Sequence, residues 1–373
     1  MPEINIPQSL LPADGRFGCG PSKIRTAQLD FLNSLQPGVL GTSHRQAPVK
    51  DLVASVQAGL LKMFNAPDGY EILLANGGAT TFWDSAVHSL IEQRSAHAAF
   101  GEFGAKFTKA VKAAPFLADP VVFEAEAGSL ATPSEVPDVD VYAYPHNETS
   151  TGVMSQVRRI AADSGALTVV DATSAAGGID FNAADVDVYY FSPQKNLASD
   201  GGLWFALVSP AAIERIAKVT ASGRYIPEVL NLQVAVDNSR KHQTLNTPAL
   251  ATLALMDEQI RWINDNGGLA WAAARTAESS NILYDWAAKQ NYAQPFVADP
   301  AHRSQVVVTI DFDDSIDAAA VAKALRANGV VDTEPYRKLG RNQLRIATFT
   351  AIEPSDVQKL TECIDFVVAE LRG

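Results

Sequence analysis

The sequence predicts an α/β protein: a large domain with a mostly parallel sheet between helices, followed by a smaller C-terminal α+β domain. Three observations carry this. Between Tyr70 and Val208, short apolar, β-branched or aromatic runs alternate with helical stretches, the pattern of βαβ units. Two of those runs lead straight into polar or charged residues, Leu167 to Asp171 and Val186 to Phe191, and ligands of open α/β sheets bind at such strand ends. The pattern then changes after Gly267-Gly268, where roughly a hundred residues read as an α+β domain.

A chain of 373 residues suits about two domains. The expected division is an arm over 1–15, a large domain over 16–266 and a small domain over 267–373. The formal net charge of −12 argues against nucleic acid or an anionic membrane as partner, so a phosphorylated ligand needs a local basic cluster. The two cysteines, Cys19 and Cys363, offer neither a disulfide framework nor metal-ligand spacing, and no metal is expected. The first residues lack the basic and apolar regions of a signal peptide, and no apolar run approaches the roughly 20 residues that span a bilayer. The expectation is a soluble, cytoplasmic protein.

Arg16 to Ser22 is a glycine- and proline-rich turn without the strand that a dinucleotide fingerprint requires. Gly41 to Pro48 is a polar segment ahead of the helical pattern Val49 to Phe64, and its adjacent His44 and Arg45 can address one anion. Tyr70 to Trp83 reads as strand, glycine turn and helix. The N–H groups of Gly78, Ala79 and Thr80 then open a helix, a ready site for phosphate that lacks the Gly-Lys-Ser/Thr of a nucleotide-binding loop. Ala98 to Gly104 is an aromatic loop before a helix, with Phe103 placed to cover a planar ring or to join the core. Asp140 to Gly152 is a strand ending in a polar loop that carries Thr149. Asn246-Thr-Pro248 opens the helical pattern Ala249 to Asn264, where capping alone would explain Asn246, Thr247 and Pro248. In the last part, Val306 to Phe312 and Gln343 to Thr348 read as strands, Ala318 to Asn328 and Val357 to Leu371 as helices. Between them Tyr336 to Arg345 carries four cations, among them Arg337, Lys338 and Arg345.

The chemistry centres on Lys195, in the polar loop Ser192 to Gly202 between the runs Val186 to Phe191 and Leu203 to Val208. A lysine held among apolar walls can shed its proton and form a Schiff base with a carbonyl, and a carboxylate nearby suits a cationic pyridinium nitrogen. Asp171, at the end of another strand, can supply that carboxylate. The pair points to pyridoxal phosphate, against the bland alternative of a solvated loop lysine.

In order along the chain stand Ser43-His44-Arg45, Asn76-Gly-Gly-Ala-Thr80, His146-Asn-Glu-Thr149, Asp171-Ala-Thr173, Ser192-Pro-Gln-Lys195 and Asn246-Thr-Pro248. With them the chain resembles the phosphoserine aminotransferases from Gly15 onward, a family of the class V aminotransferases with the type I pyridoxal phosphate fold and a seven-stranded sheet. The resemblance implies a homodimer with shared active sites, pyridoxal 5'-phosphate as cofactor, and amino transfer from L-glutamate to 3-phosphohydroxypyruvate, with a related step in pyridoxine biosynthesis.

It also implies roles. Lys195 would be the Schiff-base lysine and Asp171 the partner of the pyridinium nitrogen. Gly78, Ala79, Thr80, Thr173 and Gln194 would hold the cofactor phosphate, Phe103 would stack on the ring and Thr149 would bond its phenolic oxygen. Asn246 and Thr247 would reach the other subunit's cofactor, His44 and Arg45 its substrate. Arg345 would grip the substrate α-carboxylate, with Arg337 and Lys338 the nearest further cations. Two positions depart from the family pattern: Phe103 stands where tryptophan is frequent, and no His-Arg pair precedes Arg345. The rival readings are a serine- or alanine-glyoxylate aminotransferase, a cysteine desulfurase-like lyase that would need a nucleophilic cysteine in a mobile loop, and a non-catalytic binding protein.

Overall fold

The computed structural model describes residues 4–372; the first three residues of the expected arm lie outside the described residues. Two helices, α1 (Thr26–Ser34) and α2 (Ala47–Met63), precede β1 (Glu71–Asn76). There follow α3 (Ala79–Ser89), β2 (Ser95–Ala99), α4 (Glu102–Lys112), β3 (Val121–Glu124), β4 (Val141–Pro145), a small hairpin of β5 (Asn147–Glu148) and β6 (Val153–Met154), β7 (Leu167–Asp171), β8 (Val188–Phe191) and β9 (Leu203–Val208). Helices α5 (Pro210–Ala221), α6 (Leu232–Ser239), α7 (Leu250–Asp265) and α8 (Gly268–Lys289) lead to β10 (Ala293–Pro295), β11 (Val307–Phe312), α9 (Ala318–Ala327), β12 (Gln343–Ala347) and α10 (Pro354–Arg372).

Seven strands form one sheet in the order β1-β9-β8-β7-β4-β2-β3. The neighbours from β8 to β3 pair in parallel, while β9 runs antiparallel to both β8 and β1. The sheet is therefore mostly parallel, as expected. Its central strands are buried along their length, and two apolar clusters cover it. Strands covered on both faces read as continuous apolar runs, and that is why the sequence shows them so plainly. The parallel register sets Asp171 opposite Tyr190 and Pro145, which brings the ends of β4, β7 and β8 to one edge.

The C-terminal part is a three-stranded antiparallel sheet, β10-β11-β12, with α8, α9 and α10. Gly267, in a left-handed conformation between α7 and α8, is where we propose the division. The N-terminal segment is tied to this C-terminal part: Ile6 N–H donates to Asn328 Oδ1 at 2.9 Å, Phe17 N–H to the Val331 carbonyl at 3.2 Å, and Ala347 N–H to the Phe17 carbonyl at 2.9 Å.

Two local expectations are corrected. Phe103 lies inside the first turn of α4 and not in a loop ahead of it. Helix α7 starts at Leu250, so Pro248 precedes it and neither Asn246 nor Thr247 caps it. The Thr247 hydroxyl and both carbonyls are engaged elsewhere. Among the described residues, no helix is long and apolar enough to cross a membrane.

Candidate active site

The edge where β4, β7 and β8 end opens into a cavity of about 540 Å³, within the usual range for small-molecule sites. Ten of the expected residues line it: Gly78, Ala79, Thr80, Phe103, Thr149, Asp171, Thr173, Gln194, Lys195 and Arg345. They come from six places in the sequence. The β1–α3 junction supplies the first three, and α3 begins at Ala79, so its first N–H groups have no partner within the helix. The first turn of α4 supplies Phe103, the β5–β6 hairpin Thr149, the ends of β7 and β8 the next four, and β12 Arg345.

Lys195 is only 7% exposed. Its Nζ donates to Thr149 Oγ1 at 2.6 Å and lies 5.2 Å from the centroid of the Phe103 ring. Burial draws its amine down to about 8, against the opposing pull of Asp171. Gly20 makes room for it: a Cβ there would stand 3.2 Å from Lys195 Cε, and its φ of +133° suits glycine. Asp171 accepts the Thr173 N–H at 2.9 Å, and opposite it in the β7–β8 register stands Tyr190, whose hydroxyl accepts from Trp83 Nε1 at 2.8 Å. Burial, with Asp171 beside it, pushes the Tyr190 phenol well up, so Tyr190 stays protonated beside the carboxylate. Arg345 donates through Nη1 to the Thr149 carbonyl at 3.0 Å, and its guanidinium lies 5.3 Å from the Tyr336 ring centroid.

Sequence reasoning missed Trp83, Tyr190 and Tyr336. Trp83 and Tyr336 line the cavity, and Tyr190 stands behind Asp171. In sequence, Trp83 and Tyr190 read as core; only the pairing of β7 with β8 marks Tyr190 as Asp171's neighbour. Cys19 and Asn147 line the cavity as well.

The remaining expected residues lie outside the cavity lining. His44, Arg45, Asn246 and Thr247 gather in one patch: Thr247 Oγ1 meets His44 Nδ1 at 3.1 Å, Asn76 Nδ2 donates to the Thr247 carbonyl at 2.9 Å, and Arg45 Nη2 donates to the Leu245 carbonyl at 2.9 Å. Lys338 pairs with Glu102 at the start of α4, and Arg337 is exposed beside it.

Pyridoxal phosphate fits this cavity. Thr173 Oγ1, Gln194 Oε1, Asn147 Oδ1 and Arg345 Nε are buried without a hydrogen-bond partner among the described residues, and all four belong to side chains that line it. Buried polar atoms left unsatisfied are costly, so a ligand rich in acceptors and donors accounts for them.

Comparison with known proteins agrees. The profile described as Aminotransferase class-V matches residues 21–333. The phosphoserine aminotransferase of Rhodococcus jostii is 60% identical over 366 residues, covering 98% of each chain, and a putative phosphoserine aminotransferase of Mycobacterium leprae is 58% identical over 370 residues, 99% of this chain and 98% of that one. Among solved structures, a phosphoserine aminotransferase from Cytophaga hutchinsonii superposes with a TM-score of 0.86 at 21% identity, covering 94% of this chain and 99% of that one. That from Bacillus circulans subsp. alkalophilus gives 0.84 at 20% identity, covering 96% and 99%. The chain belongs to the class V aminotransferases, within the phosphoserine aminotransferase family.

Proposed function

We propose that this protein is a pyridoxal-phosphate-dependent aminotransferase that moves the amino group of L-glutamate to 3-phosphohydroxypyruvate, giving O-phospho-L-serine and 2-oxoglutarate. The observation that carries the reading is the convergence of Lys195, Asp171 and Arg345 on one cavity with unpartnered polar atoms on its walls. When bound, the cofactor supplies an electron sink. Lys195 Nζ, neutral at mildly alkaline pH, is the amine that holds the cofactor aldehyde and moves the proton at the substrate's Cα. Asp171 would hold the proton on the ring nitrogen, steadied by the Thr173 N–H. Phe103 would cover the ring face, Thr149 would meet the phenolic oxygen, and Thr173, Gln194 and the N–H groups of Gly78, Ala79 and Thr80 would take the phosphate. Arg345, docked on the Thr149 carbonyl, meets the α-carboxylate.

The enzyme acts as a homodimer in the cytoplasm. His44, Arg45, Asn246 and Thr247 cluster outside their own subunit's cavity, which suits service to the partner's site, where Arg45 would hold the substrate phosphate. Arg337 and Lys338 stand at the rim near α4 as further cations for incoming anions. The phosphorylated hydroxythreonine step of pyridoxine biosynthesis is a second reaction of the same kind.

The desulfurase reading loses its support at Cys19. That thiol lines the cavity but is buried, and burial pushes it up despite Arg345 and Lys195. A desulfurase needs a reactive thiolate. The assay that tests the proposal compares glutamate-dependent amino transfer to 3-phosphohydroxypyruvate and to glyoxylate. A preference for glyoxylate would replace the proposed acceptor.

A further inference from the structure

Behind Thr149 lies a serine that does not line the cavity. Ser174 is 1% exposed, and its hydroxyl is the hub of a closed set of hydrogen bonds. It donates to the Asn147 carbonyl at 3.1 Å, and it accepts from Asn147 Nδ2 and from Thr149 Oγ1, each at 2.9 Å. Its own carbonyl is fixed by Asn196 Nδ2 at 2.6 Å, one residue beyond Lys195.

A hydroxyl has one proton. The Ser174 proton is committed to a carbonyl, so Ser174 meets Thr149 only as an acceptor, and the Thr149 proton points at Ser174. Toward Lys195, Thr149 is then left with lone pairs alone, and the 2.6 Å contact is one in which Nζ donates. A neutral amine has two N–H bonds and one lone pair. Were Thr149 free to turn its proton around, it would cap that lone pair.

We propose that Ser174 is a positioning residue that holds the Thr149 hydroxyl proton away from Lys195, keeping the Nζ lone pair free to react with carbonyl compounds. The inference rests on the reading of Lys195 as the carbonyl-binding amine. The other charged and titratable groups that act on Nζ are Asp171, Glu148, Arg345 and Cys19, and none of them is altered in the test.

The test uses the full chain with cofactor removed. Reductive methylation with formaldehyde, read at Lys195 by mass spectrometry from pH 6 to 10, gives the reaction midpoint and the plateau rate of the neutral amine. In Ser174→Ala, Thr149 can donate to the neutral amine, so the midpoint should move down and the plateau should fall about fivefold, the weight of one neutral hydrogen bond. In a Thr149→Val background the same substitution should change neither, because no hydroxyl remains to be turned. An effect of equal size in both backgrounds would make Ser174 a packing residue and overturn the proposal, as would an unchanged profile in Ser174→Ala alone. If wild-type Lys195 reacts no differently from exposed lysines, the underlying reading falls and the proposal with it.

Discussion

The carboxylate of Glu148 accepts the backbone N–H of Phe103 at 3.1 Å from a position with no solvent exposure. The same oxygen takes the Gly104 N–H at 3.1 Å, and the other oxygen takes the N–H and hydroxyl of Ser150 at 3.2 and 2.7 Å. The first turn of α4, which carries the ring over Lys195, therefore hangs on a buried acid. Desolvation raises Glu148 and these donors lower it, with desolvation the larger.

Glu148→Gln tests this anchor. Glutamine offers one acceptor and one donor group, so its Nε2 must face either the α4 N–H pair or Ser150. A buried donor left unmatched costs about 1–3 kcal/mol, and the loss should appear in chemical denaturation. Cofactor affinity, followed by fluorescence titration, should fall with it because Phe103 is no longer held. Wild-type affinity would mean that packing alone fixes the first turn of α4.

Lys195 carries a second prediction, on stability. Its amine titrates near 8 in the fold against 10.5 in the unfolded chain. Below pH 8 the folded protein must bury a charge, while between 8 and 10.5 the unfolded chain binds the extra proton, so stability rises with pH across that window. Above 10.5 the penalty is gone. In cofactor-free protein, Lys195→Met should be more stable than wild type by about 3 kcal/mol at pH 7, with the gap closing as pH climbs from 8 to 10.5. A gap that does not change with pH would show that the amine titrates alike in the folded and unfolded chain and so reaches water.

Asp171→Asn should retain cofactor while slowing turnover by about tenfold to a hundredfold, the worth of a charge-assisted hydrogen bond. The amide oxygen can still accept from the Thr173 N–H, so the local geometry is preserved. What it cannot do is balance a protonated ring nitrogen. A near-normal kcat would mean that the carboxylate serves only to hold the turn at Thr173.

How much of this was legible in the sequence follows from where each residue sits. Lys195, Asp171 and Gly78 to Thr80 stand where an apolar run stops, and such a break is visible without any knowledge of neighbours. Thr149, in a polar loop at a strand end, and Arg345, in a cationic stretch, stand out in the chain itself, Thr173 and Gln194 only through the resemblance, and all four line the cavity. Tyr190, Glu148 and Ser174 carry no such mark, because each acts through a partner distant in sequence: Asp171 across the β7–β8 register, α4 from the hairpin, Thr149 from the turn after β7. Periodicity does not encode such pairings. The start of α7 departs from the sequence expectation for a similar reason. Capping preferences favour Asn and Thr, but here the Thr247 hydroxyl meets His44 and its carbonyl accepts from Asn76, so the chain turns helical only at Leu250.

The last prediction concerns which subunit supplies Arg45. Its guanidinium is held by Gln243 and the Leu245 carbonyl, in the patch that also holds His44 and Thr247, and it does not line the cavity of its own subunit. If each site pairs Lys195 of one protomer with Arg45 of the other, Lys195→Ala and Arg45→Ala homodimers are impaired at every site. In a mixed dimer one site collects both defects and the other collects neither. The intact lysine comes from the arginine variant, and the intact arginine from the lysine variant. Random pairing makes half the dimers mixed, and half of their sites whole, so subunit exchange should restore about a quarter of wild-type activity toward 3-phosphohydroxypyruvate. An arginine acting within its own subunit yields no whole site at all. Verified heterodimers with no more activity than the two parents would assign Arg45 to its own protomer.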